Sequence, residues 1–361
     1  MTIDENDDRV HMKAAIYREH SKDPRQVVKI EDIDMPRPKA NEVLIKVEAA
    51  SYNYNDLWGI WGEPIKIPMP HISGSDAAGT VVEVGDNVTA NIKVGDRVAS
   101  HPNLTCRVCH ECTSGREYDC VSRQVWGFQT GPLWGGFAQY THLPEVNVVK
   151  LPDNVLFTDA AAICMVGMTA WHMLVTRAQI KPGQTVLIMG GGSGMGIAGI
   201  QIAKLFNCDV IATAGNKDKM DKCLQLGADH VVNHRESDWY KKAREITNKQ
   251  GLDVIFEHIG KTVFPQELGL LKMGGTLVST GATTGYDSTI DLRYLFFRGT
   301  NLLGATQGTK AGLEEVIRWV SKGKIKPVID TILSFGNMVD GHVKMADSQL
   351  FGKILTTPHR L

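Results

Sequence analysis

Charge of one sign is what this chain lacks. Its 39 Lys and Arg oppose 40 Asp and Glu, for a formal net charge of −1. That balance offers no electrostatic footprint for nucleic acid or a membrane surface. No apolar run reaches the roughly 18–20 residues that span a bilayer. The opening stretch, Met1–Met12, is acidic and lacks the basic and apolar regions of a signal peptide. It reads as a frayed terminus, and the protein as cytoplasmic. Internal repeats and low-complexity linkers are missing too. What remains is ordinary for a folded protein: 43% apolar and 22% charged residues over 361 positions, a length that suits two domains.

The two halves have different rhythms. Up to about Leu151 the pattern is short strands and turns: Ala14–Tyr17, Glu42–Ala49, Gly79–Gly85 and Val94–Val98. After Pro152, strands alternate with helices. Strands are expected at Thr185–Met189, Asp209–Ala214, His230–Asn233, Leu252–Glu257, Gly275–Thr280 and Asn301–Ala305. Helices are expected at Ile197–Phe206, Lys217–Leu226 and Trp239–Lys249. That alternation predicts a parallel, doubly wound sheet. The remainder through Leu361 is expected to return to the first domain.

Gly190-Gly191-Gly192-Ser193-Gly194-Met195-Gly196 joins a strand to a helix. Glycines let the backbone turn tightly and approach a pyrophosphate, which the helix N-terminus stabilises. No register gives a strict GxGxxG. The next strand ends Thr213-Ala214-Gly215-Asn216-Lys217-Asp218-Lys219. A site for NAD usually places an acid at its end to hold the ribose 2′-hydroxyl. Ala214 stands there instead, and Lys217 or Lys219 can pair with a 2′-phosphate, so the reading is NADPH. The plainer alternative makes both lysines solvated first-turn helix residues.

Seven cysteines are an odd number, and four of them crowd together. Cys106, Cys109, Cys112 and Cys120 are spaced C-x2-C-x2-C-x7-C. Four close thiolates complete a tetrahedral shell, as in closed structural zinc sites, leaving no open position for catalysis. Arg107 and Arg116 are placed to temper the charge. Cys164, Cys208 and Cys223 fall in or beside apolar segments and are expected in cores or helices.

The β-rich half, the cysteine lobe and the glycine turn together resemble the medium-chain dehydrogenase/reductase superfamily. The resemblance implies an α/β fold: a GroES-like β-rich catalytic domain (1–155 and 306–361, with a zinc lobe at 102–125) plus a Rossmann doubly wound parallel-sheet domain (156–305). Zinc alcohol dehydrogenases of that superfamily hold a catalytic zinc through Cys, the His of Gly-His-Glu, and Cys. Here Asn53, Ser75 in Gly74-Ser75-Asp76, and Met165 stand at those positions, with Cys164 one residue away. Asn and Ser are poor zinc ligands, so zinc-assisted chemistry is not expected.

Further segments resemble the crotonyl-CoA carboxylase/reductase group: Asn53-Tyr54-Asn55-Asp56-Leu57-Trp58, His71–Gly79, Trp126–Thr130, Phe256–Gly260 and Asp291–Tyr294. Carboxylating members carry Phe-Glu where this chain has Phe128-Gln129, and they generally lack the cysteine lobe. Gln129 carries no charge and cannot act as acid or base. The resemblance therefore implies plain reduction of a short-chain enoyl-CoA substrate, as in acryloyl-CoA reductases. Hydride goes from NADPH to the β-carbon, and the developing enolate needs hydrogen-bond donors.

The catalytic set this implies is Asn53, His258, Phe128 and Gln129. Asn53 would lie near the nicotinamide, or would merely cap the helix that follows it. His258, at a strand's C-terminal end, would donate a proton or order a water. Phe128 and Gln129 would line the acyl pocket. Trp58, Trp61, Trp126 and Trp134 would narrow that pocket or fill the β-domain's core. The cofactor-binding set is Thr169, Gly191, Gly194, Met195, Gly196, Ala214, Asn216, Lys219, Gly281 and Lys353. Arg293 and Arg298 would meet CoA phosphates or are surface charge. Competing readings are a quinone oxidoreductase or alkenal reductase, and a non-enzymatic NADPH-binding protein. The apolar stretch Leu295-Phe296-Phe297 to Leu302-Leu303 suggests an edge that pairs across subunits, as a homodimer or homotetramer.

Overall fold

Strand-and-turn sequence and strand-and-helix sequence build separate bodies in the computed structural model, which describes residues 10–360. Most of the acidic opening stretch, residues 1–9, lies outside the described residues. The β-rich unit runs to Met165 and adds 309–321 and 329–361; the second unit comprises 166–308 and 322–328. The division thus falls at 165/166 and 308/309 rather than at 155/156 and 305/306.

In the first unit a seven-stranded sheet runs in the order Ile329–Ser334, Lys353–Thr357, Glu42–Ser51, Asp76–Val84, Arg97–Ser100, Val148–Lys150, with Tyr140–Pro144 also paired to Glu42–Ser51. The segment Val94–Val98, expected to combine strand and turn, splits between the two. Gly95, at φ +91°, sits in a turn, and Asp96 accepts the Lys93 N–H, so pairing starts only at Arg97. Val43, Ile45, Val47, Leu57, Ile60, Val81, Trp126 and Phe137 fill the core. Each fully buried large side chain contributes roughly 1.5–3 kcal/mol. Trp126 is a core residue, while Trp58, Trp61 and Trp134 are partly buried against that core.

Two register pairs position the site. Ser51 lies opposite Asp76, and Leu355 lies opposite Ser51. The starts of the strands Asp76–Val84 and Lys353–Thr357 therefore flank the end of Glu42–Ser51. The helix Tyr54–Trp61 begins just beyond that end, with Asn53 as its N-cap.

The second unit holds six parallel strands in the order His230–Asn233, Asp209–Ala214, Thr185–Ile188, Leu252–Glu257, Leu271–Ser279, Asn301–Gly304. Numbered along the chain this is 3-2-1-4-5-6, the doubly wound order whose switch point lies between Thr185–Ile188 and Leu252–Glu257. One expectation needs correction. The helix Phe157–Arg177 is long and apolar enough, by length and composition, to cross a membrane. Its apolar stretch is interrupted by polar residues such as Thr169 and His172, so it forms no unbroken apolar run. Since 78% of its most apolar window is buried inside the structure, it is accounted for as a core helix.

Candidate active site

The first unit brings Asn53, Asp56, Asp76 and Lys353 together, all buried. Asn53 Nδ2 donates to Asp76 Oδ2 at 2.8 Å, and Lys353 Nζ donates to Asn53 Oδ1 at 2.7 Å. Lys353 also donates to the Tyr52 carbonyl at 2.5 Å and stands 3.6 Å from Asp76 Oδ2. The Met165 N–H donates to Asp76 Oδ1 at 2.9 Å. Asp56 accepts the N–H groups of Asn53 (2.7 Å) and Gly74 (3.1 Å).

Burial pushes the Asp56 carboxyl up to about 7, against the two backbone donors that favour its charged form. Burial likewise pushes Asp76 up and Lys353 down. The contacts that act against burial are the two N–H donors on Asp76 and its closeness to Lys353, which favour the charged forms. Both Asp76 oxygens accept N–H donors, and Lys353 donates to two oxygens that can only accept.

The three positions that replace zinc ligands are thus occupied by other business. Asn53 is bonded as above, Ser75 Oγ accepts from Asn55 Nδ2 at 3.0 Å, and Met165 offers its backbone. Cys164 is buried, and its thiol donates to the Ala160 carbonyl. Lys353, expected among the cofactor contacts, lies in the first unit's network, where its Nζ donates to the Tyr52 carbonyl and Asn53 Oδ1.

Phe128 is packed in the first unit's core. Gln129 Oε1 accepts the Val125 N–H at 2.9 Å, which pins the side chain to its own turn. A glutamate could accept the same bond, so the turn does not by itself demand glutamine.

The four cysteines lie in one lobe, with all Sγ atoms within 4.8 Å of one another. Cys106 to Cys112 is 3.9 Å and Cys106 to Cys120 is 3.7 Å. A tetrahedron with metal–sulfur bonds of about 2.3 Å has edges of about 3.8 Å, so the spacing fits a zinc ion. The N–H groups of Val108 and Cys109 bring the Cys106 thiol down to about 6, whereas burial pushes the Cys112 thiol up to about 11. Glu117 receives Arg107 at 3.8 Å, and Arg116 pairs with Glu111. Among the described residues this is the only such group of His, Cys, Asp or Glu side chains.

In the second unit the glycine turn caps its helix. Ser193 Oγ accepts the Gly196 N–H at 3.0 Å and donates to the Gly190 carbonyl at 2.8 Å. A side chain on Gly196 would lie 2.2 Å from the Gly190 oxygen, and one on Gly191 would lie 2.9 Å from Cys223 Sγ. Gly190 itself has φ +59°. The fingerprint's physical demands (a tight turn and close helix–strand approach) are met without its strict spacing. The helix Gly194–Leu205 presents Gly194, Met195 and Gly196 in its first turn.

His258 supports this turn from the next strand. Its Nε2 lies 2.9 Å from the Met189 carbonyl, which can only accept, so Nε2 carries the proton. Ser193 Oγ is 3.4 Å away. Burial pulls the ring down to about 4. The neutral, tethered imidazole braces the glycine turn through the Met189 carbonyl and Ser193. A side chain on Gly281 would stand 2.9 Å from the His258 carbonyl. Thr169 is buried in the helix Phe157–Trp171.

At the end of Asp209–Ala214 the structure gathers residues that the sequence reading missed. Ala214 pairs with Asn233, so the two strand ends lie side by side. A side chain on Gly215 would lie 2.9 Å from Arg235 Nε and 3.2 Å from His234 Nε2. Burial, then the charges of Arg235 and Lys219, lower the His234 pKa. Asn216 caps the following helix by accepting the Lys219 N–H at 2.9 Å. Lys217 is an exposed residue paired with Asp221. The signal was available: parallel pairing predicts that the residues after His230–Asn233 neighbour the acid position.

Arg293 pairs with Asp291 in the first turn of its helix. Arg298 donates to the carbonyls of Gly269 and Leu271 and lies over the Tyr294 ring. Its guanidinium is used within the unit.

A buried polar cluster on a β-rich unit and a glycine turn on a doubly wound one fit an oxidoreductase class, and similar proteins point the same way. Residues 39–153 match the alcohol dehydrogenase GroES-like domain, and residues 194–322 match the zinc-binding dehydrogenase family. The crotonyl-CoA carboxylase/reductase of Cereibacter sphaeroides is 31% identical, over 93% of this chain and 84% of that protein. The acryloyl-coenzyme A reductase of Sulfurisphaera tokodaii is 30% identical, over 93% and 98%. A solved structure described as an NAD-dependent alcohol dehydrogenase superposes with a TM-score of 0.91 at 36% identity, over 96% and 99%. The chain belongs to the medium-chain dehydrogenase/reductase superfamily and is an oxidoreductase of that family.

Proposed function

We propose that the chain reduces a short-chain α,β-unsaturated acyl-CoA with NADPH, without carboxylation. The observation that carries this is the Asn53 network: where zinc dehydrogenases place a metal, a buried amide is held between a carboxylate and an ammonium. An amide N–H suits an oxyanion that develops on a carbonyl during hydride addition. The relatives named for crotonyl-CoA and acryloyl-CoA support the substrate class.

NADPH would supply the hydride. The Gly190–Gly196 turn would hold its pyrophosphate, and Arg235, Lys219 and His234 its 2′-phosphate. Thr169 and Gly281 complete the proposed cofactor contacts. His258 keeps the turn in shape. Phe128 and Gln129 shape the acyl side, and uncharged Gln129 is the basis for excluding carboxylation. The four cysteines would hold one structural zinc per chain, and the open strand edge would pair two copies.

The test is NADPH oxidation with acryloyl-CoA and crotonyl-CoA beside a simple quinone, with and without bicarbonate. Turnover of a CoA ester, with a product mass that bicarbonate does not change, is the expected result. Turnover of the quinone alone would move the chain to the quinone oxidoreductases, and carboxylated product would overturn the role given to Gln129.

A further inference from the structure

Asn53 has two nearly isosteric ends, so its chemistry depends on which way its amide faces. Two side chains decide this. Lys353 can only donate, and it meets the oxygen; Asp76 can only accept, and it meets the nitrogen. The reverse orientation would set a carbonyl against a carboxylate and an NH2 against an ammonium. Both partners are themselves fixed. Lys353 also donates to the Tyr52 carbonyl, and Asp76 also accepts the Met165 N–H. Asn53's own backbone N–H is held by Asp56, the other buried carboxyl in the cluster. The amide nitrogen carries two hydrogens, and Asp76 takes one.

We propose that Asp76 and Lys353 are positioning residues which lock the Asn53 amide in one orientation, so that its second N–H is presented as a fixed donor to the acyl oxygen. The lock stands on the geometry. Its catalytic consequence rests on the enoyl-CoA reductase reading. The pair does the orienting that a bound metal does elsewhere, through hydrogen bonds made before substrate arrives. Lys353 on this view serves the reacting carbonyl's donor and not the cofactor.

Two measurements test it. In the first, NADPH-dependent reduction of crotonyl-CoA is followed in Lys353→Met, Asn53→Ala and the double variant. Lys353→Met is expected to lower kcat by roughly 10–100-fold with KM for NADPH changed less than about threefold, and to add less than about threefold in the Asn53→Ala background. Lys353→Arg should recover part of the loss. Independent, multiplying losses, or an effect mainly on NADPH KM, would overturn the proposal. Where Lys353→Met does not fold, D76N/K353Q, which leaves no charge unmatched, carries the same expectation.

In the second, selective 15N-asparagine labelling reads the amide directly, with the Asn53 signal assigned by its loss in Asn53→Ala. One Nδ2 hydrogen should exchange slowly and the other fast, and the slow one should become fast in Asp76→Asn. Two fast hydrogens in the unmodified chain would overturn the lock whatever the chain reduces. A slow hydrogen in a chain inert toward enoyl-CoA esters would uphold the lock and remove the proposed activity.

Discussion

His342 is buried with neither ring nitrogen partnered, edge-on to Tyr52 and Phe137 at 4.9 and 5.7 Å. Burial pushes its pKa down to about 3. The unfolded chain therefore takes up a proton near pH 6.5, before the folded one does. The neutral ring's contribution is whole above pH 6.5 and shrinks as pH falls toward about 3. His342→Phe keeps the aromatic edge contacts and removes the titration. Its melting temperature should match or exceed the parent's at pH 7.5. The gap should widen by about 1.4 kcal/mol per pH unit below about 6.5. Parallel melting profiles would refute this. At the same scale, Arg235→Ala should raise KM for NADPH roughly tenfold or more, by the loss of one charge-assisted phosphate contact worth about 1.5–3 kcal/mol. KM for NADH should barely move. Equal effects on both cofactors would remove Arg235 from the 2′-phosphate.

Elements differ in how openly the sequence declared them. The doubly wound half was legible because its inner strands are buried, read as short apolar runs, and are punctuated by a glycine turn. The structure adds why those glycines are needed: Gly196→Ala would set its methyl 2.2 Å from the Gly190 oxygen. That variant should lose NADPH binding by fluorescence titration and melt several degrees lower; unchanged affinity would mean the turn can relax. The cysteine lobe was also legible, since its four cysteines lie within fifteen residues. Metal analysis should find one zinc per chain, and a strong chelator should lower the melting temperature; two per chain would contradict the loss of the catalytic metal. The buried polar cluster around Asn53 was only half legible. Asn53 stood out by resemblance, but Lys353 is 300 residues away, and only the antiparallel register of the last strand brings it back. The Arg235 cluster was hidden for the same reason: a strand end gains its neighbours from pairing, which no local pattern prints.

At the scale of the whole molecule, the edge strand Asn301–Gly304 ends the second unit's sheet, near a helix that exposes Leu292, Phe296 and Phe297. Open edges and apolar patches of this kind are usually covered. Light scattering at micromolar concentration should give at least a dimer, and Phe296→Asp with Phe297→Asp should shift the mass toward one chain. A monomeric parent would leave the edge unexplained.

The register that carries Lys353 to Asn53 also sets an order in time. During synthesis the chain emerges from its N-terminal end, and domains fold largely as they appear. Asn53 and Asp76 can meet early, but the ammonium that orients the amide arrives only after some three hundred further residues, the nucleotide-binding unit among them. A ribosome-bound chain stalled before Lys353 can hold a finished cofactor fold and still have an unset amide. The strand Lys353–Thr357 thus joins the Asn53 network only after the nucleotide-binding unit's sheet has been synthesised.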